Sequence, residues 1–73
     1  LSNADVEEFI VSTGATCTKT PVKEINFPRD INVGGLVRNG VGMLVRGNTM
    51  IEEGDHVVVF CLSGMIQKIQ RFF

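Results

Sequence analysis

Apolar residues along the chain follow two rhythms. A period of two, with β-branched and aromatic residues enriched, runs through Val6–Val11, Ile31–Arg38, Val41–Arg46 and His56–Leu62, and each run reads as a strand. The helical spacing appears once, where Met65, Ile66, Ile69, Phe72 and Phe73 form a stripe and Gln67, Lys68, Gln70 and Arg71 fill the opposite side; this predicts a closing amphipathic helix capped by Ser63. Turn chemistry separates the runs: Ser12-Thr13-Gly14, the Asn39-Gly40 pair that favours a two-residue hairpin, and Glu52-Glu53-Gly54-Asp55. Thr20-Pro21 predicts the start of a short helix that Pro28 ends. The element order is therefore β-α-β-β-β-α, an α+β domain with a small antiparallel or mixed β-sheet, one short helix and one C-terminal helix.

The hairpin contains an echo, Leu36-Val37-Arg38 and Leu44-Val45-Arg46. A two-residue turn at Asn39-Gly40 sets Arg38 opposite Val41, Leu36 opposite Met43 and Val33 opposite Arg46. Alternation then places Arg38 with Gly34, Leu36, Val41, Met43 and Val45, and Arg46 with Val33, Gly35, Val37 and Leu44 on the other face. The two arginines diverge, and neither face is polar. Val57, Val59 and Cys61 against Val58, Phe60 and Leu62 repeat that double apolarity, so the sheet is expected to be covered on both sides. Two short helices are little cover for it, and a homodimer using part of the sheet or the hairpin follows. The alternative is a monomer with one helix on each face.

Composition narrows the function. At 73 residues this is one small domain or a fragment of a larger protein, and a chain of that size buries only roughly 60% of its unfolded surface. Seven basic and eight acidic side chains give a net charge of -1, which disfavours nucleic acid, and the absence of Tyr and Trp removes the usual stacking platforms. The longest apolar run, Val57 to Leu62, is far too short to span a bilayer, so no direct membrane insertion is expected. One His and two Cys do not supply a structural zinc site; Cys17 and Cys61 read as reduced thiols. Residues 1–4 read as an expression-tag remnant and 5–73 as the domain.

Candidate chemistry is sparse. Gly40-Val41-Gly42 lacks the third glycine and the helix of a dinucleotide fingerprint. Gly34-Gly35 leaves room for a close approach by a ligand or a bulky neighbour. Asp55-His56 has no nucleophile placed beside it, so no enzyme is expected, and Glu52-Glu53-Gly54-Asp55 reads as a solvated acidic turn. Arg38, beside the hairpin turn, is the best single candidate for an anion, against a plain salt bridge to Asp30 or a glutamate.

The run from Pro21 to Phe73 closely resembles the regulatory RCK or TrkA C-terminal domain of bacterial potassium-uptake regulators. The resemblance is carried by Ile25-Asn26-Phe27-Pro28, Arg38-Asn39-Gly40, Arg46-Gly47-Asn48-Thr49 and Glu53-Gly54-Asp55 before a valine-rich strand and an amphipathic helix. It implies a cytoplasmic module that dimerises, follows a Rossmann-type domain and acts on a potassium-translocating membrane subunit. NAD or ATP would belong to that other domain, leaving this stretch without a cofactor. Some members bind cyclic di-AMP in the dimer cleft, and the matching positions are Asn32, Val33, Arg38 and Leu44. Gly34-Gly35 departs from the larger apolar residues of ligand-binding members. The alternatives are an equivalent domain appended to another transporter or antiporter, or a small nucleic-acid-binding β domain.

Overall fold

The computed structural model describes residues 3–73. Four antiparallel strands, β1 (Ala4–Ile10), β2 (Ile31–Arg38), β3 (Val41–Leu44) and β4 (His56–Leu62), form one sheet in the order β1-β4-β2-β3. A single α-helical turn, α1 (Ile66–Ile69), continues into a 3-10 turn over Gln70–Phe72. The α+β reading stands. Of the stretch set aside as a tag remnant, residues 1 and 2 lie outside the described residues, while Ala4 pairs with Leu62 and the Asn3 carbonyl accepts from Ser63 N.

The hairpin has the expected register, Arg38 with Val41 and Leu36 with Met43. Asn39 (φ 52°) and Gly40 (φ +77°) both take the left-handed conformation, as a two-residue turn matching the strand twist requires. Strand β3 stops at Leu44, however, and the Val33–Arg46 pair does not form. The Arg46 N–H is taken by Thr49 Oγ1 at 2.9 Å, and Thr49 N donates to Arg46 O, so this segment turns away from the ladder.

Both helix expectations need correction. Pro21 opens only a 3-10 turn over Val22–Glu24, with no side-chain cap from Thr20. Val22 N donates to Thr49 O and Lys23 N to Gly47 O, so the backbone bonds to the turn after β3, and a run this short could not sustain an α-helix by itself. A further 3-10 turn at Thr16–Thr18 carries the fully buried Cys17. At the other end Ser63 does not cap. Gly64, at φ +88°, turns the chain, and the helix starts two residues later than a Ser63 cap implies.

The predicted stripe is nonetheless buried: Ile69, Phe72 and Phe73 join Val11, Cys17, Leu36, Ile51, Val57, Val59 and Cys61 in one core. Phe73 stacks on Phe9 at 4.7 Å between ring centroids, and Phe27 meets the edge of Phe72 at 4.8 Å. Cys17 and Cys61 are free thiols, and burial pushes the Cys17 thiol up to about 11. All of this cover lies against the Val57-Val59-Cys61 side of β4. The expectation of a sheet covered on both faces therefore fails within one chain, because the turns and the closing helix share one side and leave the other open.

Candidate functional site

The two faces meet at an irregularity in β2. Val33 pairs with Val59 but Gly35 pairs with Val58, so Gly34 is an extra, bulged residue. One inserted residue exchanges the faces on either side of it. Val33 accordingly joins Leu36 on the covered side instead of sharing a face with Gly35, Val37 and Leu44 as strict alternation implies. Both glycines fill packing roles here. A Cβ on Gly34 would lie 2.6 Å from the Phe60 ring, and one on Gly35 would lie 2.9 Å from the Met43 carbonyl oxygen.

The open face presents Val6 and Ile10 from β1, Phe60 and Leu62 from β4, Val37 from β2 and Leu44 from β3, all exposed. Asn32, also exposed, stands opposite Phe60. Two shallow hollows mark this face, one of about 350 Å³ over Asn32, Phe60 and Leu62, the other of about 340 Å³ over Gly35, Val37, Leu44 and Val58. Charged groups reach it at two places: Asp30 at the edge of the first hollow, and His56 against Glu8, Nδ1 to Oε2 at 3.3 Å.

Arg38 belongs to the other side. Its Nε donates to Asp55 Oδ1 at 2.9 Å, and its Nη2 donates to Asp55 Oδ2 at 2.7 Å and to Met50 O at 3.0 Å. Its Nη1 lies 3.1 Å from Glu52 Oε2. This two-pronged geometry is the strong form of an ion pair. Asp55 also accepts from Glu52 N at 2.8 Å, and its side chain is only 1% exposed. The Arg38 hydrogen bond holds the Asp55 carboxyl below the usual carboxylate range, and the same bond raises the arginine further. The acidic turn is thus not simply solvated: Asp55 is its buried anchor. Asp55 O accepts from Val11 N, and Gly54 N donates to Val11 O, so the one turn ties the end of β1, the start of β4 and the hairpin together.

Of the four positions singled out in the sequence, the structure brings Asn32 and Leu44 to the open face and leaves Val33 and Arg38 on the covered one. Arg38 and Arg46 form no clamp within the chain. Sequence reasoning missed Asp55 as the partner of Arg38. The available signal was a carboxylate at the entry to the strand that lies beside β2 in the sheet, and it was read with its acidic neighbours as part of a solvated turn.

Comparison with known proteins places this arrangement. A family model described as the TrkA-C domain matches residues 6–73. Trk system potassium uptake protein TrkA homolog 2 of Methanosarcina mazei is 29% identical over 70 residues, covering 96% of this chain and 16% of that protein. Trk system potassium uptake protein TrkA of Azorhizobium caulinodans is 34% identical over 53 residues, 73% of this chain and 12% of that protein. The chain thus spans a small part of the curated relatives it matches. A solved structure described as an RCK domain with cda superposes with a TM-score of 0.76 at 16% identity, covering 93% of this chain and 96% of that one; at that identity the likeness shows the fold. Taken with the family match along nearly the whole sequence, these relationships establish that the chain belongs to the TrkA-C domain family.

Proposed function

We propose that this domain is a non-enzymatic, cytoplasmic regulatory module of a Trk-type potassium uptake protein. In this reading it works as a homodimer, pairs through the open face of the sheet and transmits its state to a potassium-translocating membrane subunit. The observation that carries the reading is the open face itself: six large apolar side chains on one side of the sheet, in a chain whose relatives are named as potassium uptake proteins. A group of exposed apolar side chains on one face is a usual mark of an interaction surface, and a two-fold pair would set this patch against its own copy. Supporting it from behind, Arg38 and Asp55 fix the hairpin whose Leu44 lies on that face.

A small ligand would sit at the rim, where Asn32 lines one hollow beside Phe60 and Leu44 lines the other. Two-fold symmetry brings second copies of these positions close, which a single chain does not achieve. Neither hollow is lined by a basic side chain, so recognition rests on the Asn32 amide, backbone groups and apolar contact, with Val33 and Arg38 acting through the strand.

Sedimentation velocity across micromolar concentrations tests the pairing. The expected result is a dimer that Leu44→Asp converts to monomer with an unchanged far-ultraviolet spectrum; a dimer indifferent to that substitution overturns the reading of this face. Calorimetric titration with cyclic di-AMP tests the ligand. Heat that is lost in Asn32→Ala supports the rim site, and the absence of heat with the parent chain retires that ligand.

A further inference from the structure

On the open face a histidine meets a carboxylate. His56 Nδ1 lies 3.3 Å from Glu8 Oε2, with the side chains 44% and 56% exposed, in a patch that also holds Ile10, Val37 and Val58. Around the imidazole, strand β1 contributes Glu8. Strand β2 contributes Val37, its register partner, while Arg38 next along points to the other face. The preceding turn contributes Asp55, close enough for the imidazole charge to act on it, but already held by Arg38. Among the described residues no lysine or arginine forms an ion pair with Glu8.

We infer that pairing of two copies through this face is proton-linked, with His56 bound as imidazolium against Glu8 carboxylate in the dimer. The inference rests on the pairing proposed above. In the free chain water screens both groups, and their contact is worth little. Burying the face removes that water, and an ionised carboxylate is then tolerable only beside a cation. Protonated His56 supplies the cation; neutral His56 leaves a buried, unpaired charge, and symmetry doubles the cost. The sign follows. A group that is more basic in the dimer than in the monomer strengthens association at low pH, and that strength is lost as pH rises through the imidazole range, ordinarily near 6.5.

Sedimentation equilibrium of the chain at pH 5.5 and pH 8.0 reads this directly. The expected dissociation constant rises at least about tenfold over that interval. Glu8→Gln reverses the trend, because the charged form is now the unpaired one and association strengthens as pH rises. His56→Gln flattens the profile. A dimer broken by Leu44→Asp whose affinity is the same at both pH values, or whose Glu8→Gln variant keeps the parent trend, overturns the proton linkage and leaves the pairing intact. A chain that is monomeric at both pH values, or a dimer indifferent to Leu44→Asp, overturns both.

Discussion

The two faces of the sheet have nearly the same composition and opposite fates. Strand β4 shows it most directly: Val57, Val59 and Cys61 are buried, whereas Phe60 and Leu62, which alternate with them, are exposed. Hydrophobicity did not choose between the sides. Backbone hydrogen bonding did, since on one side the segment after β1 bonds to the turn before β4 and to Phe73, and the 3-10 turn after Pro21 bonds to the turn after β3. Apolar surface is closed where the chain has a way to satisfy its own loops over it. What is left open is equally apolar, and it is available to something else.

The largest effect is expected inside the covered face. Ile69 is fully buried beneath the closing turn, and Ile69→Ala should cost about 2–5 kcal/mol. For a domain this small that is a large share of the total. Urea unfolding followed by far-ultraviolet circular dichroism measures it. A loss below about 1 kcal/mol would mean that the closing helix is not integral to the core.

Next comes the ion pair that ties the hairpin to the turn before β4. Asp55→Asn keeps shape and removes charge, leaving Arg38 against a neutral amide; a loss of about 2–3 kcal/mol is expected, toward the low end for a broken buried pair because Arg38 retains some solvent. The pH dependence has a definite sign. The folded-state pKa of Asp55 is depressed, so its contribution is present above the unfolded value, about 3.9, and is lost as pH falls through the folded value. The parent should lose stability below about pH 4 more steeply than Asp55→Asn, as thermal melts at stepped pH would show.

The bulge gives a smaller and more local contrast. A Cβ at Gly35 meets the Met43 carbonyl oxygen, part of a paired backbone, while one at Gly34 meets the Phe60 ring, which has open space on its far side. Gly35→Ala is therefore expected to cost about 1–3 kcal/mol and Gly34→Ala less. Equal losses would place the bulge elsewhere.

The bulge also marks how far the sequence could be read. Strands β2 and β4, the hairpin register and the buried stripe of Ile69, Phe72 and Phe73 were all legible, because each is set by local pattern and turn chemistry. The resemblance to the TrkA C-terminal domain was legible too. Gly34 as an inserted residue was not, since β2 is apolar on both faces and the shift in alternation it causes does not show, and so Val33 was assigned to the wrong face. The Arg38–Asp55 pair was missed for another reason. The partners are 17 residues apart and meet only because β2 lies beside β4. The short helices were overestimated because capping residues report where a helix can begin, while Val22 and Lys23 give their N–H groups to the turn after β3.

The smallest intrinsic effect belongs to the open face, and there concentration becomes informative. Leu44 is 74% exposed, so Leu44→Ser should change the stability of the isolated chain by no more than about 0.5 kcal/mol. If a second copy covers this face, the parent gains stability by mass action above its dissociation constant, and the variant does not. The two melting temperatures should coincide in dilute solution and separate as concentration rises. The same series on Ile69→Ala should show an offset already present at the lowest concentration, because that side chain is covered by its own chain. Parallel curves for Leu44→Ser across the whole range would mean that the open face stays open, and that its apolar residues answer to some other partner.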